Sequence, residues 1–360
     1  MAKELVNGCI AIAESAVRAG CRFFAGYPIT PQNHIPEYFS HRLPEVGGVF
    51  VQGESEVASI NMVYGAAAGG TRAMTSSSGP GISLKAEGIS YLAGTQIPAV
   101  IVNISRGGPG LGSIQPAQQD YLQATKALGH GGFKTIVFAP ATLQEAVDLT
   151  YSAWDYAERD RNPVFILMDG CLGNMMETVK FPEMKEPDRN STSKWNLYRA
   201  KDVKRSDRVL SPYFPDAILE MQNKSRNAMM KRWAENDVKV EEFMIDDAEF
   251  IAVAYGIAAR SAKEAVICLR KEGYKIGLIR PITLNPFPSK SFNKLDYSKV
   301  KGFIDTELAI PAQMRIDIQA EVLGRAPIYE YCRSGGILFD DEAVYSNYKK
   351  IITEASGNGI

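Results

Sequence analysis

The stretch CRFFAGYPITPQNHIPEYFSHRLPEVGGVFVQ, residues 21–52, decides the architecture. It opens on a short apolar run, CRFFAG (21–26), passes through a helical pattern over about 33–43, and closes on a second run, GVFVQ (48–52). Strand, helix and strand in succession make a crossover unit of a parallel sheet. Between the first strand and the helix stands Tyr-Pro-Ile-Thr-Pro. Pro28 and Pro31 each fix φ and remove a backbone donor. Pro31 also keeps Thr30 out of the α region and is suited to the first turn of the following helix. The result is a stiff corner, anchored by Ile29, that presents Thr30 at the carboxyl edge of the sheet.

The pattern continues outward from there. Apolar runs recur at RAMTSS (72–77), PAVIVNI (98–104), KTIVFAP (134–140) and PVFILMD (163–169). Helical patterns lie at 4–20, 55–69, 82–94, 116–129 and 142–159. Nearly unbroken apolar strands are covered on both faces, so residues 1–180 are expected to form a doubly wound parallel α/β sheet. Residues 181–246 turn polar and proline-punctuated, then helical over 217–243. They read as an extended linker and one long helix, either a solvated spacer or a partner contact. A second, smaller α/β domain is expected over 247–360, with strands at 249–256, 274–281, 300–307 and 327–332.

Composition limits the function. The 360 residues are 45% hydrophobic and 22% charged with a net charge of -1, which argues against a general nucleic-acid surface. The N-terminus reads as an amphipathic helix, not a signal peptide, and no run suffices for a membrane span; a cytoplasmic protein is expected. Cys9, Cys21, Cys171, Cys268 and Cys332 are scattered, and His34, His41 and His130 stand apart from them. No disulfide framework and no metal site is expected on this chain. His34 reads as structural.

In an open parallel sheet, ligands bind beyond the carboxyl ends of the strands. TSSSGPGIS (75–83) fits a phosphate cradle at a helix start, but its spacing alone favours a tight turn with a capping serine. RGGPGLG (106–112) lacks both the dinucleotide fingerprint and the P-loop ending. Arg106 closes an apolar strand, a place where arginine calls for an anion or a structural ion pair. Glu54 and Glu56 lead a helix of small residues smooth enough for a subunit interface or a wedged cofactor. Asp169-Gly170 reads as a turn, since the diphosphate–magnesium motif of thiamine enzymes is incomplete there.

GYPITP, QGESEVAS, SSSGPGISL, VNISRGGPG and QPAQQD, in this order, resemble the α subunit of thiamine diphosphate-dependent 2-oxoacid:ferredoxin oxidoreductases. AYGIAARSAKEAV and GLIRPITLNPFPS are similar to that family's second domain, itself like the transketolase C-terminal domain. The resemblance covers essentially the whole chain and is nearest to the 3-methyl-2-oxobutanoate (branched-chain) type. The 2-oxoglutarate and aryl-glyoxylate types stay open, as do a non-redox thiamine enzyme subunit and a non-catalytic partner subunit.

The resemblance implies a pyrimidine-binding-like first domain. It implies Glu56 as the catalytic carboxylate on the cofactor's aminopyrimidine, chosen over Glu54 by its nine-residue spacing to Gly65. It implies Thr30 and Arg106 as substrate-binding, and Tyr27, Pro28 and Ile29 as further cofactor contacts. Thiamine diphosphate would be shared with a β subunit. Mg²⁺ and [4Fe-4S] clusters would sit on partners, among them γ and ferredoxin-like δ subunits. Coenzyme A would be co-substrate and ferredoxin the electron acceptor.

Overall fold

The computed structural model describes residues 3–186, 197 and 209–357. Much of the expected linker therefore lies outside the described residues. The chain begins with β1 (Glu4–Asn7) and α1 (Gly8–Arg18). It continues through β2 (Phe23–Gly26), α2 (His34–Glu45), β3 (Val49–Gln52), α3 (Glu56–Ala68), β4 (Ala73–Ser77) and α4 (Gly79–Gly94). Next come β5 (Val100–Gly107), β6 (Ser113–Pro116), α5 (Tyr121–Thr125), β7 (Ile136–Phe138), α6 (Leu143–Asp160), β8 (Val164–Asp169), α7 (Gly170–Asn174) and β9 (Met176–Val179).

Beyond these stand α8 (Asp216–Asn236), β10 (Val240–Phe243), β11 (Phe250–Ala254), α9 (Gly256–Lys271), β12 (Ile276–Pro281) and β13 (Thr283–Asn285). The last elements are α10 (Ser289–Asn293), β14 (Gly302–Thr306), α11 (Arg315–Val322), β15 (Ile328–Glu330) and α12 (Asp341–Ala355).

The first sheet has the order β13-β7-β8-β5-β4-β2-β3, with β6 paired to β5. Its neighbours from β7 to β3 run parallel. Period-2 alternation splits its side chains between two faces. Phe24, Met74, Val102 and Ile166 pack with α1, α2 and α6. Ala25, Ala73, Ile101 and Phe165 pack with α3 and α4. That is the doubly wound arrangement, and it explains why these strands read as unbroken apolar runs.

The second sheet, β10-β12-β11-β14-β15, is parallel apart from β10. β10 lies within the long helix expected over 217–243; that helix ends at Asn236, and the residues after it pair as an edge strand with β12. β13 crosses back and pairs antiparallel with β7 of the first sheet. The sheets are thus joined by the chain and by a common apolar core in which Tyr121 meets Tyr255.

Two local expectations fail. Residues 4–7 form a strand paired with β9 instead of helix, and Asn7 caps α1 by accepting from Ile10 N–H at 3.2 Å. Only Tyr121–Thr125 of the pattern at 116–129 is helical. The backbone N–H of Gln118 goes instead to Leu308 O in the second domain, at 2.9 Å.

Candidate active site

The ends of β2, β3, β4 and β5 lie side by side and carry the residues singled out above. At the end of β2, Tyr27 and Pro28 are exposed while Ile29 and Thr30 are half-buried. The corner is not held by Ile29. Its anchor is Gln32, fully buried, whose Nε2 donates to Tyr27 O at 3.3 Å and whose Oε1 accepts from Ser76 Oγ. Pro31 precedes the helix instead of entering it, because α2 begins only at His34. His34 is exposed and pairs with Glu37 at 3.4 Å.

Arg106, at the end of β5, is 6% exposed. Its Nη1 donates to the backbone carbonyl of Thr30 at 2.9 Å, and its Nη2 to Leu111 O at 3.2 Å. Nε has no partner, and no carboxylate pairs with the guanidinium among the described residues. The structural ion pair is therefore not what occupies Arg106. The buried Asp120 carboxylate interacts with the guanidinium from beyond ion-pair distance, and the free Nε–H still calls for an acceptor. Thr30 and Arg106 meet directly, through the main chain of Thr30; its hydroxyl accepts from Asn33 Nδ2 at 3.3 Å.

Ser55 caps α3 by accepting from Ala58 N–H at 3.1 Å, which places Glu56 in the first turn, buried, while Glu54 stays exposed. The Glu56 carboxylate lies against Gly81, where an added Cβ would come within 2.8 Å of Oε1 and 2.0 Å of Ser77 Oγ. No hydrogen bond or ion pair holds it among the described residues. Of the thirteen buried side-chain polar atoms without partners among the described residues, five cluster along the outer halves of β4 and β5: Ser77 Oγ, Ser78 Oγ, Asn103 Oδ1, Ser105 Oγ and Arg106 Nε. Each such atom costs about 1–3 kcal/mol when left unmet, so a cluster of them marks a place built for a polar ligand. Ser78 is at the N-cap of α4 but makes no capping bond, so the capping-serine reading of TSSSGPGIS is not realised. Glycine-lined backbone, unpaired hydroxyls and one buried carboxylate suit a flat heteroaromatic base. Glu56 and Arg106 are not in direct contact; they follow or end β3 and β5, which stand two strands apart on the same edge of the sheet. A cleft of about 590 Å³ opens beside Thr30 and Pro31, lined further by Ile114, Gln115 and Cys171.

Two family models match the chain. One, described as pyruvate flavodoxin/ferredoxin oxidoreductase, thiamine diphosphate-binding, spans residues 14–243. The other, pyruvate:ferredoxin oxidoreductase core domain II, spans residues 248–344. The chain belongs to the 2-oxoacid:ferredoxin oxidoreductase family. Within it, the chain is 44% identical to a ketoisovalerate oxidoreductase subunit VorB of Methanothermobacter thermautotrophicus, over 99% of this chain and 100% of that one. It is 36% identical to a 2-oxoglutarate synthase subunit KorA of Methanocaldococcus jannaschii, over 83% of this chain and 87% of that one. A solved 2-oxoglutarate:ferredoxin oxidoreductase from Magnetococcus marinus, with 2-oxoglutarate, coenzyme A and succinyl-CoA bound, superposes with a TM-score of 0.88 at 25% identity. The superposition covers 97% of this chain and 65% of that one. A split-gene transketolase shares the fold alone, with a TM-score of 0.59 at 13% identity. The chain is thus an α-type subunit of an oxidoreductase that acts as a multi-subunit assembly, and its first domain is of the thiamine diphosphate-binding kind.

Two polar residues of this family member, Gln118 and Lys85, were given no role in the sequence, and a third, Asp169, was misread. Gln118 links the domains: its Nε2 donates to Tyr255 O at 2.8 Å and its Oε1 accepts from Leu308 N–H at 2.9 Å. Asp169 is no turn residue but the N-cap of α7. One carboxylate oxygen accepts from Cys171 and Leu172 N–H, and the other from Ile257 N–H at 2.9 Å across the domain boundary. Lys85 is fully buried on α4. Its signal was a lysine one helical turn after Gly81, in a helix whose only other charge is Glu87. Among the described residues no cluster of three or more His, Cys, Asp or Glu is placed to hold a metal. Nor is any helix among them long and apolar enough to cross a membrane.

Proposed function

We propose that the chain is the pyrimidine-binding subunit of a complex that oxidatively decarboxylates a branched-chain 2-oxoacid, 3-methyl-2-oxobutanoate, to its acyl-CoA. Electrons pass to ferredoxin. Thiamine diphosphate supplies, when bound, a thiazolium carbon able to attack a 2-oxo carbonyl and to hold the electron pair left after CO₂ departs. Tyr27, Pro28 and Ile29 flank the pyrimidine, and Glu56 faces its ring nitrogen. There the carboxylate holds or releases the proton that sets the ring's tautomer. The packed start of α3 keeps water away from that carboxylate and fixes its direction. Diphosphate and Mg²⁺ fall to a β subunit, and [4Fe-4S] clusters to partner subunits, among them γ and ferredoxin-like δ subunits.

The observation that carries this reading is Arg106: buried, without a carboxylate partner, and tied to Thr30. Its free Nε–H and fork geometry suit a 2-oxoacid carboxylate. The branched-chain choice rests on the 44% relative and on the rim of the site. Leu111 and Ile114 are 85% and 56% exposed beside Thr30 and Arg106, and no lysine or arginine lines the cleft among the described residues. A second carboxylate, as in 2-oxoglutarate, would find there only the imidazole of His34, which is already paired with Glu37. The test is a panel of 2-oxoacids with the purified complex, reading viologen reduction. Branched-chain substrates should lead in kcat/KM, and a lead by 2-oxoglutarate would refute the substrate choice. Glu56→Ala should abolish substrate-dependent reduction, and near-full activity would sink its assignment.

A further inference from the structure

Arg106 stands at the root of the β5–β6 hairpin, and its Nη2 donates to Leu111 O within that hairpin at 3.2 Å. The direction of the guanidinium therefore depends on where the hairpin lies. Its two strands pair only at Arg106–Pro116 and Gly107–Ser113, with a register shift between, and the turn beyond is rich in glycine. So short a ladder does not fix its own position.

What fixes it comes from outside. The backbone N–H of Gly108, just past Arg106, donates to Gln119 Oε1 at 2.9 Å. Gln119 is held in turn by the second domain. Gln313, on the loop between β14 and α11, donates through Nε2 to Gln119 O at 2.7 Å. Its Oε1 accepts from Leu122 N–H at 2.9 Å, so both polar ends of Gln313 bond residues 119–122. The loop is itself seated by Met314 N–H, which donates to Glu307 Oε1 at 2.9 Å. Within the first domain, Asp120 Oδ2 accepts from Asn103 Nδ2 at 2.9 Å, which ties the residue after Gln119 to β5.

The returning strand is held too. Gly336, between β15 and α12, has a φ of +90° and lies on Gln115, where an added Cβ would come within 2.1 Å of Gln115 Cβ. Only glycine allows that approach. Gln115 and Ile114 in turn line the cleft beside Thr30.

We propose that the second domain takes part in substrate binding through this hold on the hairpin, and that Gln119 is a positioning residue for Arg106. The proposal rests on the reading of Arg106 as the partner of the 2-oxoacid carboxylate. Gln119 acts without touching the substrate. It fixes Gly108, and with it the turn that takes one of the Arg106 bonds. The fork then meets the carboxylate already ordered, with no further loss of hairpin freedom on binding.

Two measurements on the assembled complex test it. Hydrogen exchange reads the hold without substrate. Gln119→Leu should raise the exchange of peptides spanning 107–112 by about fivefold or more, and Gln313→Leu should do the same from the other domain. Unchanged exchange overturns the proposal. Steady-state kinetics at saturating coenzyme A read the consequence. Gln119→Leu should raise KM for the 2-oxoacid about three- to tenfold and change kcat less than about twofold. In an Arg106→Lys background the same substitution should add less than about twofold, because the fork it positions is gone. An equal factor in both backgrounds, or a fall in kcat at unchanged KM, is what a merely structural glutamine gives, and either overturns the proposal. Should Gln119→Leu fail to assemble, Gln313→Leu and Gly336→Ala carry the same expectations and the same refutations. The two readings fail separately. If exchange rises while Arg106→Lys leaves KM unchanged, the assignment of Arg106 falls and the hold on the hairpin stands.

Discussion

Arg106 separates what a residue type implies from what its surroundings decide. An arginine at the end of a buried strand was legible as a place needing an anion. That it holds no carboxylate, and instead grips Thr30 O and Leu111 O, was not. The same grip gives a prediction. A lysine's single ammonium cannot reach both carbonyls and also present a flat fork. Arg106→Lys should therefore raise KM for the 2-oxoacid at least about tenfold with a smaller change in kcat, as expected for lost ground-state binding. Steady-state kinetics at saturating coenzyme A check this, and an unchanged KM refutes it. Glu56 was chosen over Glu54 from motif spacing, and the burial of one and exposure of the other agrees with that choice. Lys85 escaped notice because nothing within a few residues of it says which side of α4 is dry.

At the scale of elements, α3 and α4 form the working pair. α3 is apolar or small nearly all round, so it packs closely wherever it is covered. α4 begins with Gly79-Pro80-Gly81, and only glycine lets the Glu56 carboxylate lie where it does. Gly81→Ala should push Glu56 and Ser77 apart. The expected result is at least a tenfold loss of kcat in the complex, with Tm lower by a few degrees. An active, equally stable variant would mean that Glu56 sits elsewhere in the assembly. The strands and long helices of the first domain were legible because each declares itself by period, 2 or 3.6, within its own length. The elements misread were short ones whose backbone bonds go to distant partners. β1 pairs with β9, and residues 117–120 spend their bonds on the second domain.

For the whole molecule, the joint between the sheets is as polar as it is apolar. Asp169 and Gln118 clasp the start of α9 and the loop after β14, and Arg280 bridges Glu241 of its own domain to Glu145 of the other, at 2.6 Å each. Behind that joint lie Asp305 and Glu307, both 0% exposed. Desolvation pushes Asp305 up to about 7 and Glu307 well above the ordinary carboxylate range. The folded chain thus binds more protons than the unfolded one between the usual carboxylate range and about pH 7. Stability must fall as pH rises through that window and stay reduced above it. Asp305→Asn removes one of the two groups and relieves the other. Tm should rise by a few degrees at pH 8 relative to the parent and change little at pH 4, flattening the dependence. Thermal unfolding at both pH values checks this, and an undiminished pH dependence counts against it.

By itself the sequence determined the class of the first sheet, the order of its strands and helices, and which strand ends bear the glycines, hydroxyls and charges proposed to carry chemistry. These follow from burial on both faces, which demands unbroken apolar runs, and from glycine and proline, which act locally. Only the tertiary structure decided that β13 leaves its own domain to join β7, that Arg106 forms no ion pair among the described residues, and that Lys85 is buried against the neutral oxygens of Thr75 and Ser76. Those facts depend on which atoms meet across tens to hundreds of residues. A charge is paired or unpaired, cheap or costly, only once the low-dielectric surroundings that strip its water have been assembled.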